Sequence, residues 1–181
     1  YGRTAVLAAR VAPLQATWLG YLDTTGLASV DYRITDAVAD PPGAGERANS
    51  ERLLRLPVPA WCWTPPPQAP DPGPPPLLQE GVPTFGSFNH AQKLTDATLA
   101  SWRALFASLP ATRLVAVGVP AGTARARVAA GLGLDAARIA FEPRLDEAGY
   151  RAMYARVDVA LDPTPFSGAT TTLDALWQGV P

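Results

Sequence analysis

Short apolar runs alternate with longer stretches of helical spacing over the second half of the chain. The predicted strands are residues 84–88, 114–119, 139–141 and 157–161, and the predicted helices are residues 96–108, an Arg/Ala-rich segment ending at Gly131, and about 146–156. Five apolar side chains of the helix 96–108 fall on one face, namely Leu99, Trp102, Leu105, Phe106 and Leu109. This alternation predicts a parallel sheet with helices on both faces.

The first part of the chain is patterned differently. Two apolar stretches within residues 16–36, ATWLGY and SVDYRIT, predict strands, with a turn or a short helical connection at the DTTG between them. Residues 41–52 are predicted to be a loop. Residues 53–76 carry ten of the chain's twenty prolines. Because proline lacks an N–H and has a fixed φ, this segment is predicted to be extended and mostly on the surface. We interpret it as a connection between two lobes; a long loop within one domain is the alternative.

Composition and charge narrow the class of protein. Fifteen basic and sixteen acidic side chains are scattered along the 181 residues, with no basic stripe that would favour a nucleic acid. No apolar run reaches the roughly eighteen residues that a membrane span needs.

One cysteine, Cys62, excludes an internal disulfide and indicates a reducing, cytoplasmic setting. Cys62 lies between two tryptophans and is predicted to be packed. The chain begins without methionine and stops after a predicted helix, which favours a fragment.

The last stretch, PFSGATTTLDALWQGVP, has the pattern of a phosphate-binding turn. The first N–H groups of a helix lack partners within the helix and carry a partial positive charge, so a diphosphate fits there. Gly168 lets the backbone come close, Thr170 and Thr171 add hydroxyl donors, and Asp174 lies one turn further, where it can accept from ribose hydroxyls. An ordinary capped helix in an α/β domain is the alternative interpretation.

A second strand-to-helix turn, FGSFNHAQKLTD, contains Lys93, the single lysine of the chain. All fourteen other basic side chains are arginine, so Lys93 is predicted to have a specific role: a compact ammonium neutralises a phosphate as a point charge. A solvated surface lysine is the alternative. Ligands of parallel α/β sheets bind beyond the carboxyl ends of the strands. Both turns are predicted to lie at that end, and we therefore expect one shared site.

The motifs together resemble a known family. FGSFN followed by Lys93, the PFSGATTTLDALWQGVP ending and the upstream WLGYLDTTGLASVDYRITD are similar to glycosyltransferase family 41, the Spindly and protein O-GlcNAc transferase family, on its Spindly-like side. The resemblance covers nearly the whole chain. It implies a GT-B fold of two Rossmann-like lobes: residues 1–56 as the C-terminal part of the N-terminal catalytic lobe, 57–82 as the connection, and 83–181 as an incomplete nucleotide-sugar-binding lobe.

The resemblance also implies roles for particular residues. The family's phosphate-binding and catalytic lysine falls on Lys93, its paired loop threonines on Thr170 and Thr171, and its ribose-binding aspartate on Asp174. The expected mechanism is stabilisation of the diphosphate leaving group by these donors, with inversion at the sugar.

Some positions depart from the family's pattern. Ala169 stands where the animal enzymes have histidine, and Tyr150 stands where the family often places a histidine against the nucleobase, so that an aromatic ring is expected to stack there. Leu22 and Asp23 replace the usual proline and glycine of an upstream loop. His90 occupies a position that is Asn or Gln in the family, and we expect it to act as a neutral hydrogen-bonding group near the phosphates.

The implied partners follow from the family. They are a nucleotide-sugar donor, UDP-N-acetylglucosamine or GDP-fucose, a protein acceptor with Ser or Thr hydroxyls, and helical TPR-like repeats upstream. No cluster of side chains has metal-ligand spacing, so no cofactor and a metal-independent reaction are expected. A non-catalytic nucleotide-sugar-binding fragment and a GT-B transferase with a carbohydrate or lipid acceptor stay open. A dinucleotide-dependent oxidoreductase is disfavoured because GxGxxG is absent.

Overall fold

Each of the two units into which the chain divides, Tyr1–Thr64 and Pro65–Pro181, is built on a parallel sheet. The computed structural model describes residues 4–67 and 69–181. The limits predicted for the two lobes and their connection, 1–56, 57–82 and 83–181, stay predictions.

The first unit has a three-stranded parallel sheet in the order β1-β2-β3. Its elements are α1 (Thr4–Ala8), β1 (Ala16–Thr17), β2 (Tyr32–Asp36), α2 (Ala44–Ala48) and β3 (Arg52–Leu56). Strand β2 is the central one, and its residues pair with β3 over its whole length, from Tyr32 opposite Arg52 to Asp36 opposite Leu56. The two stretches predicted as strands in residues 16–36 are both present, although β1 ends before Leu19, which has a φ of 61°.

Two local predictions in this unit are wrong. Residues 41–52 were expected to be loop but contain α2, and Cys62, which was predicted to be packed, is exposed. The stretch that begins at residue 53 was expected to be extended, and β3, at one edge of this sheet, agrees with that prediction. The prolines begin only at Pro57, one residue after β3 ends.

The second unit has a four-stranded parallel sheet in the order β6-β5-β4-β7. Its elements are α3 (Leu77–Glu80), β4 (Thr84–Ser87), α4 (Asp96–Ser108), β5 (Arg113–Val117), α5 (Thr123–Leu132), β6 (Ile139–Glu142), α6 (Glu147–Ala152), β7 (Val159–Ala160) and α7 (Thr170–Trp177). The alternation predicted from residue 84 onward is confirmed. The helix predicted over about 146–156 is α6 followed by a 3₁₀ turn, Met153–Arg156.

Side chains alternate between the two faces of this sheet, as the period of a strand requires. On β5, Leu114 and Ala116 pack into one apolar cluster, whereas Val115 and Val117 pack into another. The first cluster is closed by α4 and α5, and the second by the turn Met153–Arg156 and by α7. Helices therefore cover both faces, as predicted.

Helix α4 shows why the local pattern was informative. It begins after Thr95, whose hydroxyl accepts a hydrogen bond from the N–H of Thr98 at 3.1 Å, a standard N-cap. Three of the five residues predicted to share its apolar face are buried, Leu99, Trp102 and Phe106. Leu105 packs partly against the same cluster, and Leu109 is exposed just beyond the end of the helix.

Candidate functional site

The order of strands in the second unit creates a switch point between β4 and β7. From β4 the chain proceeds outward to β5 and β6, and then returns to place β7 on the other side of β4. In parallel α/β sheets, ligands bind beyond the carboxyl ends of the strands at such a point. The residues that follow β4 and β7 here are Phe88 to His90 and Leu161 to Asp162.

A cleft of about 760 Å³ opens at this end of the sheet. Its walls are the segments at the carboxyl ends of three strands, residues 88–90, 117–121 and 143–147, together with Arg125, Tyr150 and Thr171. Three of the predicted site residues, His90, Tyr150 and Thr171, therefore border one space. A volume of this size is within the range of cofactor and substrate pockets.

Lys93 reaches the loop that precedes α7. Its Nζ donates a hydrogen bond to the carbonyl oxygen of Ser167 at 2.9 Å and lies 3.5 Å from Oδ1 of Asn89. The ammonium also lies 4.6 Å from the centre of the Phe166 ring, within cation–π distance. The lysine turn and the Gly/Thr turn, which are distant in sequence, are thus in direct contact.

Asp162 holds the loop between β7 and α7 in place. Its Oδ1 accepts a hydrogen bond from the N–H of Gly168 at 2.7 Å, and its Oδ2 accepts one from the hydroxyl of Thr172 at 3.0 Å. The amide of Asn89 donates to the same carboxylate at 3.3 Å. Carboxylate, amide and hydroxyl together fix the backbone ahead of the first turn of α7.

The first turn of α7 offers donors that the helix itself does not use. Ala169 is the N-cap residue, and it has no side chain that could accept from the first N–H groups. Thr170 is exposed at the first helical position. Among the residues that the structure describes, the hydroxyl of Thr171 is buried and has no hydrogen-bond partner. A buried polar group without a partner is costly, and this one borders the cleft.

Tyr150 lines the cleft beside a second tyrosine, Tyr154. Burial raises the pKa of both phenols above the ordinary value, and the charge of Asp174 on α7 adds to that effect. Both hydroxyls therefore stay protonated at neutral pH. The predicted ribose-binding residue Asp174 is half-buried on α7 and is not among the residues that line the cleft.

The predicted site residues fall into two groups, those that border the cleft and those that lie beside it. His90, Tyr150 and Thr171 border the cleft, whereas Lys93, Gly168, Ala169 and Thr170 belong to the adjoining loop and turn. His90 is exposed at the end of β4. The roles predicted for these residues stay predictions.

Two residues with clear positions in the site were not predicted from sequence. Asn89 and Asp162 follow the two strands at the switch point and are hydrogen-bonded to each other. The sequence did contain a signal for both, because each is a polar residue shortly after an apolar strand. That signal indicates a shared site only once β4 and β7 are known to be neighbours in the sheet.

Two general properties of the described residues complete the picture. Within residues 4–67 and 69–181, no group of three or more His, Cys, Asp or Glu side chains is arranged to hold a metal ion. None of the helices in those ranges has the length and apolar character needed to cross a bilayer.

Comparison with known proteins gives consistent matches along the chain. The family model described as "Glycosyl transferase family 41" matches residues 2–60. The protein named "Probable UDP-N-acetylglucosamine--peptide N-acetylglucosaminyltransferase SPINDLY" is 39% identical in Petunia hybrida and 40% identical in Arabidopsis thaliana, in each case over 99% of this chain. The chain spans about a fifth of the length of these curated relatives, 20% of each.

Solved structures agree with the fold. A mutant of the O-GlcNAc transferase of Thermobaculum terrenum matches 99% of this chain with a TM-score of 0.86 and 35% identity, over 34% of its own length. A sucrose-phosphate synthase from Thermosynechococcus elongatus matches 84% of this chain and 40% of its own with a TM-score of 0.58 and 16% identity, which bears on the fold alone. The predicted GT-B class of α/β fold is confirmed by these matches.

Proposed function

The chain belongs to glycosyltransferase family 41, and from that membership we propose that its second unit binds the nucleotide-sugar donor of a protein O-glycosyltransferase. The reaction proposed is transfer of a sugar, N-acetylglucosamine or fucose, from a nucleoside diphosphate to Ser or Thr hydroxyls of proteins, with inversion. The names of the relatives support a UDP-sugar donor and a peptide acceptor.

The observation that carries the proposal is the meeting of Lys93 with the turn that opens α7. Lys93 contacts the carbonyl of Ser167, three residues before Thr170. An ammonium has three N–H donors. Even with the contacts to Ser167 and Asn89 kept, one donor is left for a diphosphate oxygen.

The start of α7 supplies complementary donors. The first N–H groups of the helix are not capped by the side chain of Ala169, and the hydroxyl of Thr171 has no partner within the described ranges. A diphosphate placed between Lys93 and this turn would satisfy both. The negative charge would also interact favourably with the helix dipole.

The rest of the donor is proposed to occupy the cleft. The cleft has a volume of about 760 Å³ and extends from Thr171 to Tyr150 and to the segment 117–121 at the end of β5. In the proposed arrangement the ring of Tyr150 stacks on the nucleobase, Asp174 accepts from ribose hydroxyls, and His90 donates a hydrogen bond near the phosphates. Aromatic stacking on a base contributes on the order of 1–3 kcal/mol.

In the proposed mechanism the site stabilises the leaving group. Negative charge grows on the diphosphate as its bond to the anomeric carbon breaks, and preorganised donors stabilise that charge more strongly than the ground state. Lys93 and the first turn of α7 would supply these donors without a metal ion. No residue is assigned as the general base.

Calorimetric titration of the chain tests donor binding. We expect saturable binding of either UDP-N-acetylglucosamine or GDP-fucose, weakened at least tenfold by Lys93→Ala because a charge-assisted contact is lost. Arg113→Ala is the matched control, since it removes an exposed cation at the amino end of β5, away from the cleft. Equal affinity of the wild-type protein and Lys93→Ala for the donor would refute the assignment of Lys93.

Transfer from a labelled donor to an acceptor peptide by the full-length natural protein separates an enzyme from a binding module. Donor binding without transfer would support the non-catalytic alternative. Transfer to a glycan or lipid instead of a peptide would support the other GT-B alternative. Helical repeats in the full-length protein would favour a protein acceptor, because such repeats form long concave surfaces.

A further inference from the structure

A buried aromatic cluster connects the wall of the cleft to α7. The rings of Phe88 and Tyr154 are stacked with their centres 4.0 Å apart, and Tyr150 meets both edge-on, at 5.7 Å from Phe88 and 5.5 Å from Tyr154. Tyr154 is only 1% exposed, whereas Tyr150 borders the cleft. The cluster therefore extends from a surface that a ligand can touch into the core.

The two hydroxyls of the cluster form a directed chain of hydrogen bonds. The hydroxyl of Tyr154 lies 3.2 Å from the carbonyl oxygen of Thr171 and 2.8 Å from the hydroxyl of Tyr150. A carbonyl can only accept, and a phenol has one proton. Tyr154 therefore donates to Thr171 and accepts from Tyr150.

These two hydrogen bonds end at the first turn of α7, on which the diphosphate is proposed to bind. The turn has no side-chain cap at Ala169, so its orientation depends on contacts from elsewhere. Asp162 holds it through Gly168 and Thr172, and Tyr154 holds it through the carbonyl of Thr171. The Tyr154 contact is the one that leads back to the cleft wall at Tyr150.

We propose that Tyr154 is a positioning residue that fixes the first turn of α7 relative to Tyr150. The site for the diphosphate, at that turn, is thereby kept at a fixed distance and orientation from the site for the base, at Tyr150. This inference rests on the proposed function, because it assigns Tyr154 to the same nucleotide site. Tyr154 itself touches no substrate. It acts through Thr171 on one side and through Tyr150 on the other.

The substitution Tyr154→Phe tests the proposal because it removes both hydrogen bonds and keeps the stacked ring. We expect affinity for the nucleoside diphosphate that the wild type binds, UDP or GDP, to fall about tenfold. Affinity for the matching nucleoside, measured by NMR titration, should stay within about twofold, since the wall formed by Tyr150 and Phe88 is kept. Tyr32→Phe in the first unit is the matched control and should leave both affinities unchanged.

Coupling between the two tyrosines gives a second readout. Tyr150→Phe removes only the donor to Tyr154 and should weaken diphosphate binding less than Tyr154→Phe. In a Tyr154→Phe background, Tyr150→Phe should cost nothing further, because its partner hydroxyl is already gone. Additive losses would contradict a shared hydrogen-bonded chain.

Hydrogen exchange separates failure of this inference from failure of the proposed function. The amide of Leu173 donates to the carbonyl of Ala169 at 3.0 Å in the first turn of α7, and its exchange in the free protein should accelerate in Tyr154→Phe. If the wild type binds neither UDP nor GDP, the proposed function fails, and unchanged Leu173 exchange would separately overturn the positioning role. Equal losses of nucleoside and diphosphate affinity, or no loss of either, would also overturn it.

Discussion

Gly168 occupies a space in the candidate site that has no room for a larger side chain. A Cβ added there would lie 2.8 Å from Oδ1 of Asp162 and 2.7 Å from the hydroxyl of Thr172, and closer still to the hydroxyl of Thr171. These are the groups that shape the loop before α7. The glycine is therefore required by close approach of polar side chains.

Gly168→Ala is expected to displace this loop. The clash should lower the free energy of unfolding by about 1–3 kcal/mol and abolish detectable binding of the nucleotide-sugar donor. Urea denaturation and calorimetry measure the two effects. Gly73→Ala is the control in the same unit, because a Cβ at Gly73 would meet no atom within 4 Å. Wild-type donor affinity in Gly168→Ala would show that the loop is not part of the site.

Glu51 in the first unit is a buried carboxylate held by two threonines. Burial alone would raise its pKa, but hydrogen bonds from Thr25 and Thr24 outweigh burial and lower the pKa from 4.5 to about 2. The side chain accepts from the N–H of Thr25 at 2.7 Å and from the hydroxyl of Thr24 at 2.7 Å. The charged form is thus preferred in the folded state.

This lowered pKa predicts a pH dependence of stability. A carboxylate whose pKa is lower when folded stabilises the fold above pH 4.5, and the stabilisation is lost as the pH falls from 4.5 to about 2. Glu51→Gln should therefore cost about 2 kcal/mol at pH 7, with the difference from wild type shrinking toward pH 2. Urea denaturation across this range measures it. A cost that does not change with pH would contradict the role of the charge.

At the scale of elements, the close packing of α4 against α5 depends on a glycine, which has no side chain to separate the two helices. Gly131 lies in α5 against Leu99 of α4, and an added Cβ would lie 2.6 Å from Cδ1 and 3.1 Å from Cβ of Leu99. Leu99 is only 1% exposed. Helix propensity alone would favour alanine at this position by about 1 kcal/mol. Propensity therefore predicts that Gly131→Ala raises the free energy of unfolding, whereas the close packing against Leu99 predicts that it lowers it.

We expect packing to dominate, and Gly131→Ala to lower the free energy of unfolding by about 1–3 kcal/mol. Combining it with Leu99→Ala should recover part of that loss, because the space left by the leucine accepts the new methyl group. Chemical denaturation of the two single variants and the double variant measures the coupling. A stabilised Gly131→Ala protein would show that the two helices are not in close contact.

The elements that the sequence predicted well are those whose signals are local. Helix α4 has its cap, Thr95, and its apolar face within one stretch of sequence. Strand β3, which was predicted only as part of an extended segment, has exposed leucines such as Leu54 and is stabilised by pairing with β2, a partner that local pattern does not identify. The contact of Lys93 with Ser167 was within reach, because both residues follow strands of a predicted parallel sheet.

For the whole molecule, what sequence could not supply is which strands are neighbours. The order β6-β5-β4-β7 brings Asn89 next to Asp162 and places Tyr154 under α7, although neither contact follows from spacing along the chain. These contacts depend on tertiary pairing. The chemistry-bearing motifs were therefore recognisable, while the groups that orient them became visible only in the fold.

The most direct test of the account is the turnover of Lys93→Ala in the full-length natural protein, measured as transfer of labelled sugar from saturating donor to an acceptor peptide. Loss of a preorganised donor to the leaving diphosphate should lower turnover about a hundredfold or more. Arg113→Ala should transfer at the wild-type rate. Turnover of Lys93→Ala within a few-fold of wild type would contradict the claim that Lys93 and the first turn of α7 stabilise the leaving group together.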